Sequence, residues 1–322
     1  MSGTVLTNLF FSFNAVIPVF IIIGGGFFLK KRNLLNDDFS AASNKLVFTI
    51  ALPAMIFDSV YQVNFKSIFD LNLILFSVSG TLIQFVLITI GAFGLLAARK
   101  SIGAFVQGGF RSNFIILGIP LIKNLSSTLG ADASAKSSII VSIIIPLYNI
   151  LAVIILTATS LERSLSWKKK VLFDIAKNPL IIAVLLAIPF SVTGFRLPGF
   201  IEKTIIYLSA IALPLALLDI GYNFKFTVFI GNLRLAAVAS FIKIIVSPLL
   251  FTTAAYFLGF KGSSLGVIYI LFASPTAVSS YIMAKNMNND ADLSANIVLL
   301  TTVGSLVTLF LGVFVLKSLG ML

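Results

Sequence analysis

Two polar interruptions in otherwise apolar sequence hold the residues best placed to do chemistry. One is GGFRSNFIILGIPLI, from Gly108 to Ile122, and the other is LFASPTAVSSYIMA, from Leu271 to Ala284. Asn113, and Ser274 with Pro275, each lie about eleven residues from either end of an apolar segment; at about 1.5 Å rise per residue, both fall near mid-bilayer. A helix broken there exposes N–H groups with partial positive charge, which suit a carboxylate. It also exposes carbonyls, which suit a cation or a hydroxyl. The candidate substrate-binding set is Asn113, Ser112, Ser274, Pro275, Thr276, Asn149 and Lys243. The plainer alternative is a pair of proline kinks whose small residues only help helices pack.

Several members of this set have two readings. Lys243, in SFIKIIVSPLL, lies well inside an apolar segment, where a charge is costly unless it faces a cavity or a partner. It is either a counter-charge for substrate or a structural cation bonded to helix carbonyls at a break. Arg111 either reaches the same cavity or snorkels to the interface. Asn149 follows Pro146 in IIIPLYNIL, and Thr301 with Thr302 occupy the comparable part of the last segment; hydroxyls there also bond their own helix carbonyls. A sodium site would draw on Asn113, Ser274, Thr276 and Thr301 as oxygen ligands.

The chain has no Cys and no His. Thiolate and imidazole metal sites, Cys or His nucleophiles and a Ser-His-Asp triad are therefore excluded, and no cofactor or metal is expected. An intramembrane aspartyl protease would need Asp58 and Asp219 as facing carboxylates in a Gly-x-Gly-Asp-like setting, and IFDSVY and LLDIGY do not supply one. No ring of charges suggests a passive channel. There is no GxxxxGK[ST] motif, so energy must come from gradients or a partner subunit. The expectation is a protein that is not an enzyme.

The elements that position these residues follow from composition. Of 322 residues, 58% are hydrophobic and 11% charged, with a mean hydropathy of +1.08. Soluble domains are about 25% charged, so this chain belongs in a lipid bilayer. Its net charge of +12 sits in short clusters such as Lys30 to Arg32 and WKKK at Trp167 to Lys170, between long apolar runs. That is the pattern of membrane topology and gives no reason to expect nucleic acid. Apolar segments of helix-spanning length fall at roughly 9–29, 40–60, 71–97, 102–123, 137–158, 172–193, 201–221, 233–258, 263–285 and 293–316. With both termini outside a cell membrane, the inner loops hold thirteen Lys and Arg and the outer loops seven, as the positive-inside rule prefers. The N-terminal segment lacks the charged start and cleavage site of a signal peptide and reads as a retained first span. Gly24 to Gly26 suit close helix approach better than a phosphate cradle.

The connection LERSLSWKKK, Leu161 to Lys170, divides the chain into halves 1–161 and 162–322. Across it, IALPAMIFD from Ile50 matches IALPLALLD from Ile211 at a shift of 161 residues, bringing Pro53 onto Pro214 and Asp58 onto Asp219. The same shift sets Asn113 beside Ser274. Five spans per half force the second half into the opposite orientation, which makes the match an inverted repeat.

LPAMIFD, FRSNFIILGIPL, IPLYNIL, KNPLIIAVLL, LPLALLDIGYNF, IKIIVSPLL and ASPTAVSSYIMAKNMNNDADLSANIVLLTTVGSLVT together resemble the auxin efflux carrier family of secondary transporters, in its bacterial permease branch. The resemblance implies an all-α membrane protein of ten transmembrane helices, two inverted five-helix repeats with crossed, broken helices four and nine. It implies a scaffold from 1–60 and 172–221, and a transport domain from 71–158 and 233–316 that slides like an elevator. A homodimer could form through the scaffold helices. The crossover asparagine matches Asn113 and the crossover proline Pro275, while Pro53 and Pro214 match scaffold prolines. Substrates so implied are small organic anions, mono- or dicarboxylates such as malate or malonate. The chain departs from plant members in its short central connection and in RSNFIILGIP at the crossover, so the plant substrate does not transfer. The alternative is a sodium-coupled symporter resembling the bile acid family.

Overall fold

The structure is a computed structural model that describes residues 2–62, 70–125, 129–130, 132–160 and 176–322. The central connection LERSLSWKKK lies outside the described residues. Among them the chain is helical throughout and forms no strand.

In chain order the helices are α1 (Ser2–Lys31), α2 (Asp37–Leu46), α3 (Leu52–Tyr61), α4 (Leu71–Leu95), α5 (Arg99–Phe110), α6 (Ile119–Asn124) and α7 (Ala133–Ser160). There follow α8 (Pro179–Thr193), α9 (Gly199–Ala210), α10 (Ala212–Asn223), α11 (Phe226–Gly231), α12 (Leu233–Phe241), α13 (Ser247–Phe257), α14 (Gly262–Ala273), α15 (Ser279–Asn286) and α16 (Ala291–Ser318). Six stretches among the described residues are long and apolar enough to cross a membrane: 37–61, 71–95, 133–160, 199–223, 233–257 and 291–318. Pro179–Thr193 and Gly262–Ala273 are shorter apolar helices.

Local chemistry sets the helix ends. Asn36, Asp70, Asn178 and Asp290 each accept a bond from a backbone N–H in the first turn of α2, α4, α8 and α16, at 2.8–3.0 Å. Gly194, at φ 72°, closes α8 in the left-handed conformation that glycine adopts without strain. Three wide turns, Val47–Ala51, Phe114–Gly118 and Ile242–Val246, each precede a proline by two residues, at Pro53, Pro120 and Pro248. In each, the residue before the proline donates to the carbonyl five back: Leu52 to Val47, Ile119 to Phe114, Ser247 to Ile242. A proline ring inside a helix crowds the carbonyl four back and lacks an N–H, and the extra residue in the turn relieves both problems.

Packing follows small residues. α1 lies along α10, and a Cβ at Gly26 would strike the backbone of Leu218, while one at Gly221 would strike that of Ile23. Gly24 and Gly25 face open space, so only one glycine of the triplet serves close approach. α3 packs on α8 and α9; α5 packs on α4 and α7; α13 lies on α14, and α12 and α15 lie on α16. α3 touches α7, and α2 and α10 touch α15, so the group around α3 and α10 meets the group around the interrupted helices.

Candidate functional site

The two polar interruptions meet. α5 stops at Phe110, residues 111–113 are not helical, and the wide turn into α6 begins at Phe114. α14 stops at Ala273, and α15 starts only at Ser279. Ser112 and Thr276 form an isolated antiparallel bridge, and Asn113 N donates to Pro275 O at 2.7 Å.

Four orphaned carbonyls at these breaks are answered by side chains. Thr276 Oγ1 donates to Gly108 O at 2.6 Å, and Ser112 Oγ donates to Leu271 O at 2.6 Å, so each break caps the helix end of the other. Gln84 Nε2 donates to Gly109 O at 3.0 Å, and Lys243 Nζ donates to Phe272 O at 2.8 Å. The helix preceding each break thus supplies the second cap. With the carbonyls satisfied, non-helical backbone can persist inside the protein.

A partly open cavity lies against this crossing, with about 700 Å³ of space between its wall atoms, including the part open to the outside. Its polar wall is Arg111, Ser112, Asn113, Tyr148, Asn149, Ser59 and Ser279. The rest is apolar and includes Leu52, Met55 and Ile56 from α3, Leu213 and Ala216 from α10, and Phe114, Ile115 and Val278 from the breaks. Leu52 and Leu213 are the residues just before the repeated prolines Pro53 and Pro214, so both IALP frames contribute to the wall.

Of the residues expected from sequence, Ser112, Asn113 and Asn149 line this cavity. Ser274, Pro275, Thr276 and Lys243 are buried and do not line it. Ser274 Oγ donates to Ile270 O, and Thr301 Oγ1 donates to Ile297 O while accepting from Thr276 N. These two hydroxyls spend their protons on carbonyls of their own helices. Thr302 bonds Val298 O in the same way.

Arg111 faces the cavity instead of snorkelling. It is 5% exposed, and Nη2 donates to Asn149 Oδ1 at 2.6 Å, with Nη1 2.6 Å from Met283 Sδ. No carboxylate pairs with it among the described residues. Tyr148 Oη is buried in the same wall and has no hydrogen-bond partner among the described residues. The candidate set read from sequence omits Arg111 and Tyr148. Their signal was proximity: Arg111 is two residues before Asn113, and Tyr148 is beside Asn149. Asp58 and Asp219 share no site, since Asp58 accepts from Gln62 near the end of α3 while Asp219 is buried among groups from α2, α10 and α15.

A profile described as Membrane transport protein matches residues 11–313. The chain belongs to the auxin efflux carrier family of membrane transport proteins. Like other members of this family it is a multi-pass membrane transporter and not an enzyme. An uncharacterized transporter of Methanothermobacter thermautotrophicus is 26% identical over 301 residues, covering 92% of this chain and 96% of that protein. One from Methanocaldococcus jannaschii is 25% identical over 321 residues, covering 95% and 99%. Auxin efflux carrier component 1 of Arabidopsis thaliana is 28% identical over 140 residues, covering 41% of this chain and 22% of that protein.

Proposed function

We propose that the chain is a secondary transporter of small organic monocarboxylates, bound at the cavity against the crossing of the two interrupted helices. The observation that carries this reading is Arg111, a buried guanidinium on the cavity wall with no carboxylate partner among the described residues. Of its five N–H groups, two are committed to Asn149 and Met283, which leaves donors for an incoming carboxylate. The N-termini at Asn113–Phe114 and at Val278–Ser279 lie in the same wall and have no side-chain cap, so their partial positive charge adds to that of Arg111. The Tyr148 hydroxyl and the Asn113 amide complete a set of donors.

The rest of the wall selects among anions. Beyond the Ser59 and Ser279 hydroxyls, a second carboxylate would meet Leu52, Met55, Ile56 and Leu213 and no further cation among the described residues, and an unpaired charge there is strongly disfavoured. One carboxylate on an apolar body therefore fits better than malate or malonate. In this reading the chain forms ten spans in two inverted halves, with α1–α3 and α8–α10 as scaffold and α4–α7 with α12–α16 as the transport domain. Alternating access is the sliding of the second group against the first. The apolar faces that α3 and α10 turn to the cavity support it, because they offer few polar contacts there; the Asp219–Lys285 pair and the Tyr281–Asp219 bond between α10 and α15 must open as the groups slide.

The test is thermal unfolding of the purified protein with acetate, butyrate and benzoate against malonate, succinate and malate, with and without sodium. Butyrate or benzoate should raise the unfolding midpoint independently of sodium, and R111Q should remove the rise. Stabilisation by dicarboxylates alone, or an undiminished rise in R111Q, overturns the assignment.

A further inference from the structure

The two interrupted helices are capped by different chemistry. Gly109 O at the end of α5 receives a neutral amide from Gln84, whereas Phe272 O at the end of α14 receives the ammonium of Lys243. Lys243 Nζ also donates to Ser112 Oγ at 2.6 Å, its side chain is fully buried, and among the described residues it has no carboxylate partner. It does not line the cavity, so substrate is not what balances its charge. Its neighbours are a hydroxyl oxygen and a helix-terminal carbonyl, at the end of α14 where the helix dipole is negative. Oxygen dipoles of this kind are what a small hard cation takes as ligands.

We propose that Lys243 is a tethered cation, filling an oxygen-lined cation site between the ends of the two interrupted helices and thereby holding residues 111–113 against the cavity. Ser112 transmits the effect. Its hydroxyl accepts from Lys243 and donates to Leu271 O, and its chain neighbours Arg111 and Asn113 face the cavity. Lys243 is thus a positioning residue. Truncating it leaves a vacancy with the same oxygens, and a free cation of the right size takes its place. That these residues bind an anion is the reading given above, but the occupancy of the cation site can be measured without any anion.

The experiment follows unfolding of K243A and K243M without added carboxylate, in ethylammonium, sodium or tetramethylammonium chloride, with choline chloride keeping ionic strength equal. K243A should unfold several degrees below the parent protein. Ethylammonium or sodium should restore its midpoint, tetramethylammonium, which has no N–H, should not, and the parent should respond to none. K243M fills the vacancy without charge and should stay destabilised in every salt. If K243A does not survive purification, its recovery in folded form after solubilisation in ethylammonium but not tetramethylammonium chloride is the same result. A parent-like midpoint in K243M, or a K243A that neither ethylammonium nor sodium restores, overturns the proposal. In restored K243A, return of the benzoate-induced shift seen in the parent ties the site to positioning. A midpoint that returns without that shift overturns the positioning role alone. A parent that ignores benzoate overturns the anion reading and leaves the midpoint result intact.

Discussion

Lys285 Nζ lies 2.8 Å from Asp219 Oδ2, an ion pair that joins α15 to α10 just beyond Ala216 and Ser279 of the cavity wall. Asp219 is 1% exposed and also accepts from Ser40 Oγ, Asn44 Nδ2 at 2.5 Å, Tyr281 Oη at 2.6 Å and Asn223 Nδ2 at 3.0 Å. Donors from α2, α10 and α15 therefore converge on one carboxylate. K285M leaves the neutral donors in place and should cost about 1–3 kcal/mol, whereas D219A removes the acceptor that all of them share and should cost about 3–5 kcal/mol. Thermal unfolding of the single and double variants measures the coupling. An unchanged midpoint for K285M would show that the neutral donors alone hold the junction.

The cavity wall separates binding from folding at Asn113. N113A keeps the backbone bond to Pro275 O, since only the side chain is lost, and should unfold near the parent temperature without carboxylate. Its stabilisation by benzoate should fall sharply, on the order of tenfold in apparent affinity for one charge-assisted bond. A titration monitored by unfolding reads both quantities.

The crossed caps make a prediction for stability alone. T276V removes the donor to Gly108 O while preserving side-chain shape, leaving a buried carbonyl unpaired at about 1–3 kcal/mol. T302V removes only a bond to its own helix, at Val298 O, which already has a helical partner to hand, and should cost less. Equal losses in the two variants would remove the special role assigned to the crossing.

Gly26 and Gly24 differ by half a helical turn, and their substitution should differ in sign of consequence. G26A places a methyl group against the backbone of Leu218 and must push α1 from α10, an overpacking worth about 1–3 kcal/mol. G24A meets nothing within 4 Å and should be neutral or slightly stabilising, as Ala is the better helix former. Urea or thermal unfolding in detergent distinguishes them.

Much of the fold was legible because it rests on local properties. The apolar segments, the acidic and amide caps and the prolines after the wide turns are set by residues a few positions apart. The two polar interruptions stood out because Ser, Asn and Pro conflict with an apolar helical run. The shift of 161 residues marked Pro53 and Pro214 as equivalent, and both flank the cavity through Leu52 and Leu213.

The direction of side chains at the breaks was not legible. Helical periodicity predicts which face a residue takes, and Arg111 is extended beyond the end of α5, so no period applied to it. Lys243 and Arg111 looked alike as cations in apolar sequence, yet one reaches Phe272 O and Ser112 Oγ while the other faces the cavity. That difference depends on partners from 29 to 172 positions away in the chain. The same holds for Asp219, whose partners Ser40 and Asn44 lie 179 and 175 positions distant. Sequence alone therefore determined a membrane-embedded helical chain with two polar interruptions, since burial in lipid and proline sterics act locally. Only the tertiary structure decided which cation serves the cavity and which serves the fold, because a buried charge is defined by the dipoles that long-range packing sets around it.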